Sequence, residues 1–443
     1  MNIPELKLNS PGIRMLNSAT DSAAITENTT VRFDAKYSSG FPASTNILII
    51  AGEPSGDMHS AKLVRELKLA QPNLMISAMG GEELAAAGAN IIVDAKDLAV
   101  VGFVEVIKVV RQLKNAFTRL KKLILEQHPK IVILVDYPGF NFRMAKFAKQ
   151  HGCHVIYYIS PQVWAWHQSR VHKIKRWVDV MAVIFPFEVE FFQRFNICAK
   201  FVGHPLAAAP LCPFTPAEAK QELQLHPKHQ VIGLVPGSRL SEVRAILPPL
   251  LAAAAELYQQ NSQLQFVLPK ASNIDADWLN QQLAKYPVPI TVTTHNRYTT
   301  MQACDIAIAA SGTVTLELAL LEKPMIIAYK GNALSFWLAK RLVKLKHIGL
   351  PNIVAKHEIV PELLQSALSP ANIVAQVNLL LSDPSYYSTQ KQHLAAIHQQ
   401  LKSPITEICL TALILEILGP LAARTQRSSQ EGSPQFTIEN TII

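Results

Sequence analysis

The chain has 443 residues, enough for two or three domains with cores of their own. Hydrophobic residues make up 49% and charged residues 17%, which excludes a disordered chain, and the formal net charge of +9 favours an anionic partner: nucleic acid, a phosphorylated small molecule or an acidic membrane surface. The five cysteines, at 153, 198, 212, 304 and 409, form no CxxC pair and no zinc-type cluster; their odd number and wide spacing fit a reducing compartment, and no metal site is expected.

In chain order, residues 1–44 are rich in Ser, Thr and Asn and lack the apolar stretch of a signal peptide, so they are expected to be a mobile extension. Short apolar runs then alternate with amphipathic stretches. The expected strands are Ile47–Ala51, Met75–Met79, Asn90–Val93, Ile131–Val135, His154–Ile159 and Val180–Ile184, with helical patterns between them, as over Phe103–Gln127 and Asn141–His151. A proline-rich link begins at Pro205. Beyond it the rhythm restarts, with strands expected at Val231–Val235, Gln265–Leu268, Ile290–Thr293, Ile306–Ala309 and Met325–Ala328. Near-continuous apolar strands separated by helices predict parallel sheets covered on both faces. The fold class is therefore α/β, with two Rossmann-like doubly wound domains, 45–205 and 206–385, facing across a cleft. C-terminal helices follow over 386–423, and a loose tail over 424–443. No window of roughly 20 uncharged apolar residues occurs, so no membrane span is expected.

In open α/β sheets ligands bind beyond the carboxyl ends of strands, so the loops there carry the functional information. The first expected strand runs into Gly52-Glu-Pro-Ser-Gly56, with Asp57 at the start of a helical pattern. The strand, glycine turn and helix have the shape of a phosphate cradle, yet Glu53 and Asp57 give it negative charge and no lysine is present. Asp136, in VDYPGFN, stands at another strand end, where Pro138 stops the strand; it suits a general base or a turn-forming residue. In VIGLVPGSR, Gly237 permits a tight turn, Ser238 offers a hydroxyl, and Arg239 a planar cation for phosphate oxygens at a helix start. The alternative is a capped helix with a solvated arginine. In ASGTVTLE, Ser311, Gly312 and Thr313 present hydroxyls and N–H groups at a second helix start, and Glu317, one turn on, suits a vicinal diol such as a ribose; a plain helix cap with a surface Glu is the alternative. Two such loops in one domain favour a nucleotide diphosphate.

Two further stretches stay open. Aromatic and basic residues mix from Trp164 and Trp166 through Trp177, and again over 336–344; they suit single-stranded nucleic acid, a phosphorylated sugar, or exposed basic helices. The apolar segment Leu98–Val110 suits a core, or a greasy lip for acyl chains.

Taken together, AGEPSGD, LAVVGFVEV, SPQVWAW, FPFE, FVGHPL, PGSR, ASGTVTLE and LPNIVA stand in the order and spacing of bacterial lipid A disaccharide synthases, which the chain resembles over residues 45–420. The resemblance implies a GT-B glycosyltransferase that needs no metal or other cofactor. Its reaction would be an inverting transfer from UDP-2,3-diacylglucosamine to 2,3-diacylglucosamine 1-phosphate. It implies Asp136 and Arg239 as catalytic residues. Gly237, Ser238, Ser311, Gly312, Thr313, Glu317 and Asn352 would lie on the UDP-sugar side. Gly52, Glu53, Ser55, Gly56 and Asp57 would form an acceptor-side loop, contacting sugar hydroxyls or only shaping the turn. It also implies a cytoplasmic enzyme held peripherally at the inner membrane, and leaves a homodimer open. Another UDP-sugar enzyme such as a UDP-N-acetylglucosamine 2-epimerase is the alternative. A nucleic-acid partner is not expected, because it leaves PGSR and ASGTVTLE without a role.

Overall fold

The computed structural model describes residues 13–16, 46–98, 106–165, 168–294, 296–331, 346–402 and 409–419. Residues 99–105 of the apolar segment, Trp166, His167, the basic stretch 332–345 and the tail 424–443 lie outside the described residues, as does most of 1–44.

The chain divides into two compact units. In the unit built mainly from 46–205, the strands are β2 (Asn46–Ala51), β3 (Met75–Gly80), β4 (Asn90–Asp94), β5 (Ile131–Val135), β6 (His154–Tyr158), β7 (Val180–Val183) and β8 (Ala199–Phe201). They form a seven-stranded sheet in the order β4-β3-β2-β5-β6-β7-β8, with parallel pairing throughout. Every residue of β5 is buried, as expected where helices cover both faces. On one face, Leu48, Ile50, Val132 and Leu134 pack with Leu120 and Met144 from the helices Val106–Gln127 and Pro138–Gln150. Each such aliphatic side chain contributes about 1.5–3 kcal/mol when fully buried.

The second unit carries β9 (Val231–Val235), β10 (Gln265–Pro269), β11 (Ile290–Thr293), β12 (Ile306–Ala310), β13 (Met325–Tyr329) and β14 (Glu362–Leu364). Its order is β11-β10-β9-β12-β13-β14, and a seventh strand, β1 (Ile13–Leu16), lies beyond β11. Ile232, Leu234, Phe266 and Ile308 pack with Leu247 and Leu250 of the helix Leu240–Gln260.

Two features differ from expectation. Within the stretch expected to be a mobile extension, β1 pairs in parallel with β11, from Ile13↔Ile290 to Leu16↔Thr293. The outer edge of β11 is a row of backbone donors and acceptors, and β1 satisfies it. The C-terminal helices also divide. Pro384–Leu401 belongs to the second unit, whereas the helix over 410–419 belongs to the first, where the Thr411 hydroxyl donates to Glu66 Oε2 at 2.5 Å.

Both sheets reverse direction at one place. The chain runs β2, β3, β4 outward, then returns to lay β5 on the other side of β2; β9, β10, β11 and β12 repeat the manoeuvre. Such a reversal leaves a crevice at the carboxyl ends of the two central strands. It selects four loops: those after β2 and β5 in one unit, and those after β9 and β12 in the other.

Candidate active site

In the first unit, the loop after β2 leads into the helix Pro54–Ala70, with Glu53 at its N-cap position and Pro54 at the first turn, where a missing N–H costs nothing. Glu53 and Ser55 are exposed; Gly56 and Asp57 are buried. The Asp57 carboxylate accepts from the backbone N–H groups of Gly81 (2.6 Å), Glu83 (3.1 Å) and Leu84 (3.4 Å). It thus caps the helix Glu82–Ala86 from outside. A Cβ on Gly81 would stand 2.8 Å from Asp57 Oδ2, so the glycine lets the backbone close on the carboxylate. Asp57 thereby orders the turn after β3, with three of its roughly four acceptor positions taken by backbone N–H groups. Asp57→Ala leaves three enclosed N–H groups without an acceptor and is expected to cost about 2–4 kcal/mol. Urea unfolding measures this, and a loss below about 0.5 kcal/mol would contradict the capping role.

The loop after β5 is strained. Asp136 (φ 43°) and Tyr137 (φ 47°) are consecutive non-glycine residues in the left-handed region. Each costs on the order of 1–3 kcal/mol and persists only where the surroundings enforce it. The Asp136 carbonyl accepts from Asn141 Nδ2 at 2.7 Å and from the Tyr157 hydroxyl at 2.6 Å. Tyr137 packs over Gly52, where a Cβ would lie 2.4 Å from its ring. The Asp136 carboxyl is half-buried, and its pKa is pushed up to about 6, chiefly by burial and then by the negative charge of Glu53, against a backbone hydrogen bond from Tyr137. The loops after β2 and β5 thus bring Glu53 and Asp136 together.

SPQVWAW and FPFE meet in the same unit. Buried Glu188 accepts from the Ser160 hydroxyl, from Trp164 Nε1 (3.1 Å) and from Phe185 N–H (3.0 Å). Burial pushes its pKa up to about 7 against those hydrogen bonds. This knot ties the loops after β6 and β7 together, and no reading of either motif alone exposes it.

In the second unit, Gly237 turns at φ 101°, with Ala310 of β12 3.3 Å from where a Cβ would sit. Ser238 and Arg239 are exposed at the start of the helix Leu240–Gln260. The Ser238 carbonyl accepts from Asn273 Nδ2 (2.9 Å), and Arg239 pairs with Glu242 at 2.9 Å. With its side chain 81% exposed, Arg239 holds only a solvent-screened pair and can turn to an anion. Across the reversal, the Ser311 hydroxyl donates to the Ile348 carbonyl (3.1 Å), and Gly312 and Thr313 are exposed where the helix Thr313–Leu320 begins. First-turn N–H groups have no partner within their helix, so these two starts offer donors to an anion.

Glu317 is buried, and its Oε1 already accepts from Arg297 Nη2 (2.6 Å) and the Tyr298 hydroxyl (3.3 Å). Both donors come from the helix Arg297–Ala303 after β11 and escaped the sequence reading. Asn352, expected beside the nucleotide sugar, is instead fully occupied. Its Nδ2 donates to Val360 O (2.9 Å) and Glu362 Oε1 (2.8 Å), and its Oδ1 accepts from Ile359 N–H (2.8 Å) and Val360 N–H (3.0 Å). A primary amide has no further hydrogen to offer. Glu362 also accepts from Ile348 and Gly349 N–H, so Asn352 and Glu362 position the loop that Ser311 touches.

Two Rossmann-like units with these loops at their sheet reversals define a class, the GT-B glycosyltransferases and their structural relatives. Solved structures of similar fold include a UDP-GlcNAc 2-epimerase from Neisseria meningitidis bound to UDP-GlcNAc (TM-score 0.56, 12% identity, 84% of this chain and 99% of that one). A calicheamicin glycosyltransferase matches with TM-score 0.53 and 14% identity over 86% and 99% of the two chains. At such identities the likeness is one of fold alone. Sequence is more specific: the family model described as lipid-A-disaccharide synthetase matches residues 47–412, and the chain belongs to that family. The lipid-A-disaccharide synthase of Trichlorobacter lovleyi is 45% identical over 372 residues, covering 84% of this chain and 97% of the relative. That of Geobacter sulfurreducens is 42% identical over 376 residues, covering 85% and 98%.

Proposed function

We propose that this chain synthesises the lipid A disaccharide. It transfers the 2,3-diacylglucosamine unit of UDP-2,3-diacylglucosamine to the 6-hydroxyl of 2,3-diacylglucosamine 1-phosphate, with inversion, giving the β-1,6-linked disaccharide 1-phosphate and UDP. The observation that carries the mechanism is Asp136, a half-buried carboxylate with a raised pKa at a sheet reversal, poised to accept a proton near neutral pH. As the acceptor oxygen bonds to the anomeric carbon, its proton passes to Asp136. The bond from that carbon to the diphosphate breaks, and its electron pair leaves with UDP. Arg239 and the helix starts after Gly237-Ser238 and Ser311-Gly312 offset the charge that grows there. Thr313 belongs to the second of those starts, and Glu317, steadied by Arg297 and Tyr298, holds the ribose hydroxyls. Gly52, Glu53, Ser55 and Gly56 line the acceptor side, with Asp57 beneath them as a cap. The epimerase alternative rests on fold likeness at 12% identity, against 45% identity to a synthase.

The enzyme works at the cytoplasmic face of the inner membrane as a peripheral protein. Among the described residues no helix is long and apolar enough to cross a membrane. His172, Lys173, Lys175 and Arg176 are exposed on the helix Val171–Trp177 and suit anionic headgroups, at about 1 kcal/mol per well-placed cation. One preparation tests both statements: purified protein with the two lipid substrates yields UDP and disaccharide, and it co-sediments with vesicles only when they contain anionic lipid. Absence of product overturns the synthase reading, and sedimentation indifferent to lipid charge overturns the membrane one.

A further inference from the structure

We propose that Asn141 and Tyr157 are positioning residues that hold Asp136 in its left-handed backbone conformation and so determine where its carboxylate stands. The inference rests on the assignment of Asp136 as the base. Two adjacent non-glycine residues at φ 43° and 47° relax unless something prevents it, and the restraint is visible. The Asp136 carbonyl is held from two directions, by Asn141 Nδ2 at 2.7 Å and by the Tyr157 hydroxyl at 2.6 Å. The second hydrogen of the Asn141 amide goes to the Val135 carbonyl at 3.1 Å, so one side chain bridges the last residue of β5 and the first of the turn. The Asp136 N–H donates to the Tyr158 carbonyl at 3.1 Å. Rotating either peptide group of Asp136 breaks at least one of these bonds.

The two clamp residues come from different elements. Asn141 lies in the helix Pro138–Gln150, and Tyr157 on β6, paired in register with Leu134 of β5. Both are fully buried, and neither presents a polar atom to solvent. A phenol is long enough to reach a carbonyl at the strand end from within the sheet; a phenylalanine ring fills the same space and leaves that bond unmade. Asn141 cannot become Asp without setting a carboxylate against two carbonyl oxygens. The titratable and charged groups that face Asp136 are Glu53 from the loop after β2, Tyr137 in its own turn and Tyr157 from β6, with Arg170 acting on Tyr157. Releasing the clamp lets the carboxylate leave Glu53 and gain water.

The test is Tyr157→Phe, with Asn141→Ser as a second variant, read by thermal melting, kcat, KM and the pH profile of UDP release. The folded Tyr157→Phe protein should show kcat lower by about five- to tenfold with KM nearly unchanged. The acid limb of its profile should move from near pH 6 towards the ordinary carboxylate range. Adding Glu53→Gln should then move the limb no further. A residue that merely supported the fold would lower the melting temperature and leave the limb in place. If Tyr157→Phe keeps the native kcat and limb while Asp136→Asn is inactive, the clamp is refuted and the base assignment stands. If Asp136→Asn is itself fully active, both fall.

Discussion

Asp136→Asn lowers the rate of UDP release about 10²- to 10⁴-fold, the range a positioned general base contributes. In the native protein log kcat/KM falls below about pH 6, where the carboxyl takes up its proton. Part of that elevated value comes from Glu53, so Glu53→Gln shifts the limb to lower pH. Asp136→Asn also makes the protein more stable. The folded pKa of Asp136 lies above the unfolded one, so its contribution to stability is fully present below the unfolded value of about 4 and is lost as pH rises through about 6. At pH 7.5 the ionised, partly desolvated carboxylate is a net cost that the neutral amide removes. Thermal melting of Asp136→Asn should therefore show a gain at pH 7.5 that vanishes near pH 4. A residue that is active only at the expense of stability is what a catalytic site leaves behind. A variant that retains native kcat, or that melts lower at pH 7.5, contradicts this account.

Arg239→Ala should reduce kcat/KM about 10²- to 10³-fold, the usual effect of removing one electrostatic partner of a leaving group. Its melting temperature should not change, because the native Arg239–Glu242 pair is solvent-screened and helix packing does not depend on it. Arg239→Lys restores only part of the loss: an ammonium supplies the charge but not the planar fork that grips two phosphate oxygens. Isothermal titration with UDP separates binding from turnover, and activity within threefold of native in Arg239→Ala would remove this residue from the mechanism.

The strands deep in each sheet were legible because burial on both faces leaves an unbroken apolar run; Ile131–Val135 and Val231–Val235 have the expected limits. β8 and β14 escaped because three-residue strands, one holding Lys200 and the other Glu362, carry no periodicity. β1 escaped because its reason for pairing is the edge of β11, 277 residues away. The four loops at the sheet reversals announced themselves through glycine, proline and helix-start chemistry. Their inner partners did not. That Asp57 serves the Gly81 turn, that Trp164 meets Glu188, and that Arg297 occupies Glu317 are consequences of strand order and register. Asn352 shows the converse: expected at a ligand, its amide is directed inward to Ile359, Val360 and Glu362.

Neither unit is a continuous stretch of chain: β1 belongs to the unit of residues 206–402, and the helix over 410–419 to the other. This has a consequence for the order of events at the ribosome. β1 must wait for β11, and at about 5–20 residues per second that interval is roughly 14–55 s. The amino-terminal unit, although translated early, lacks the helix over 410–419 until about 200 further residues have been added. Each half is thus completed by an element from the far end of the chain, and no single cut releases either half intact.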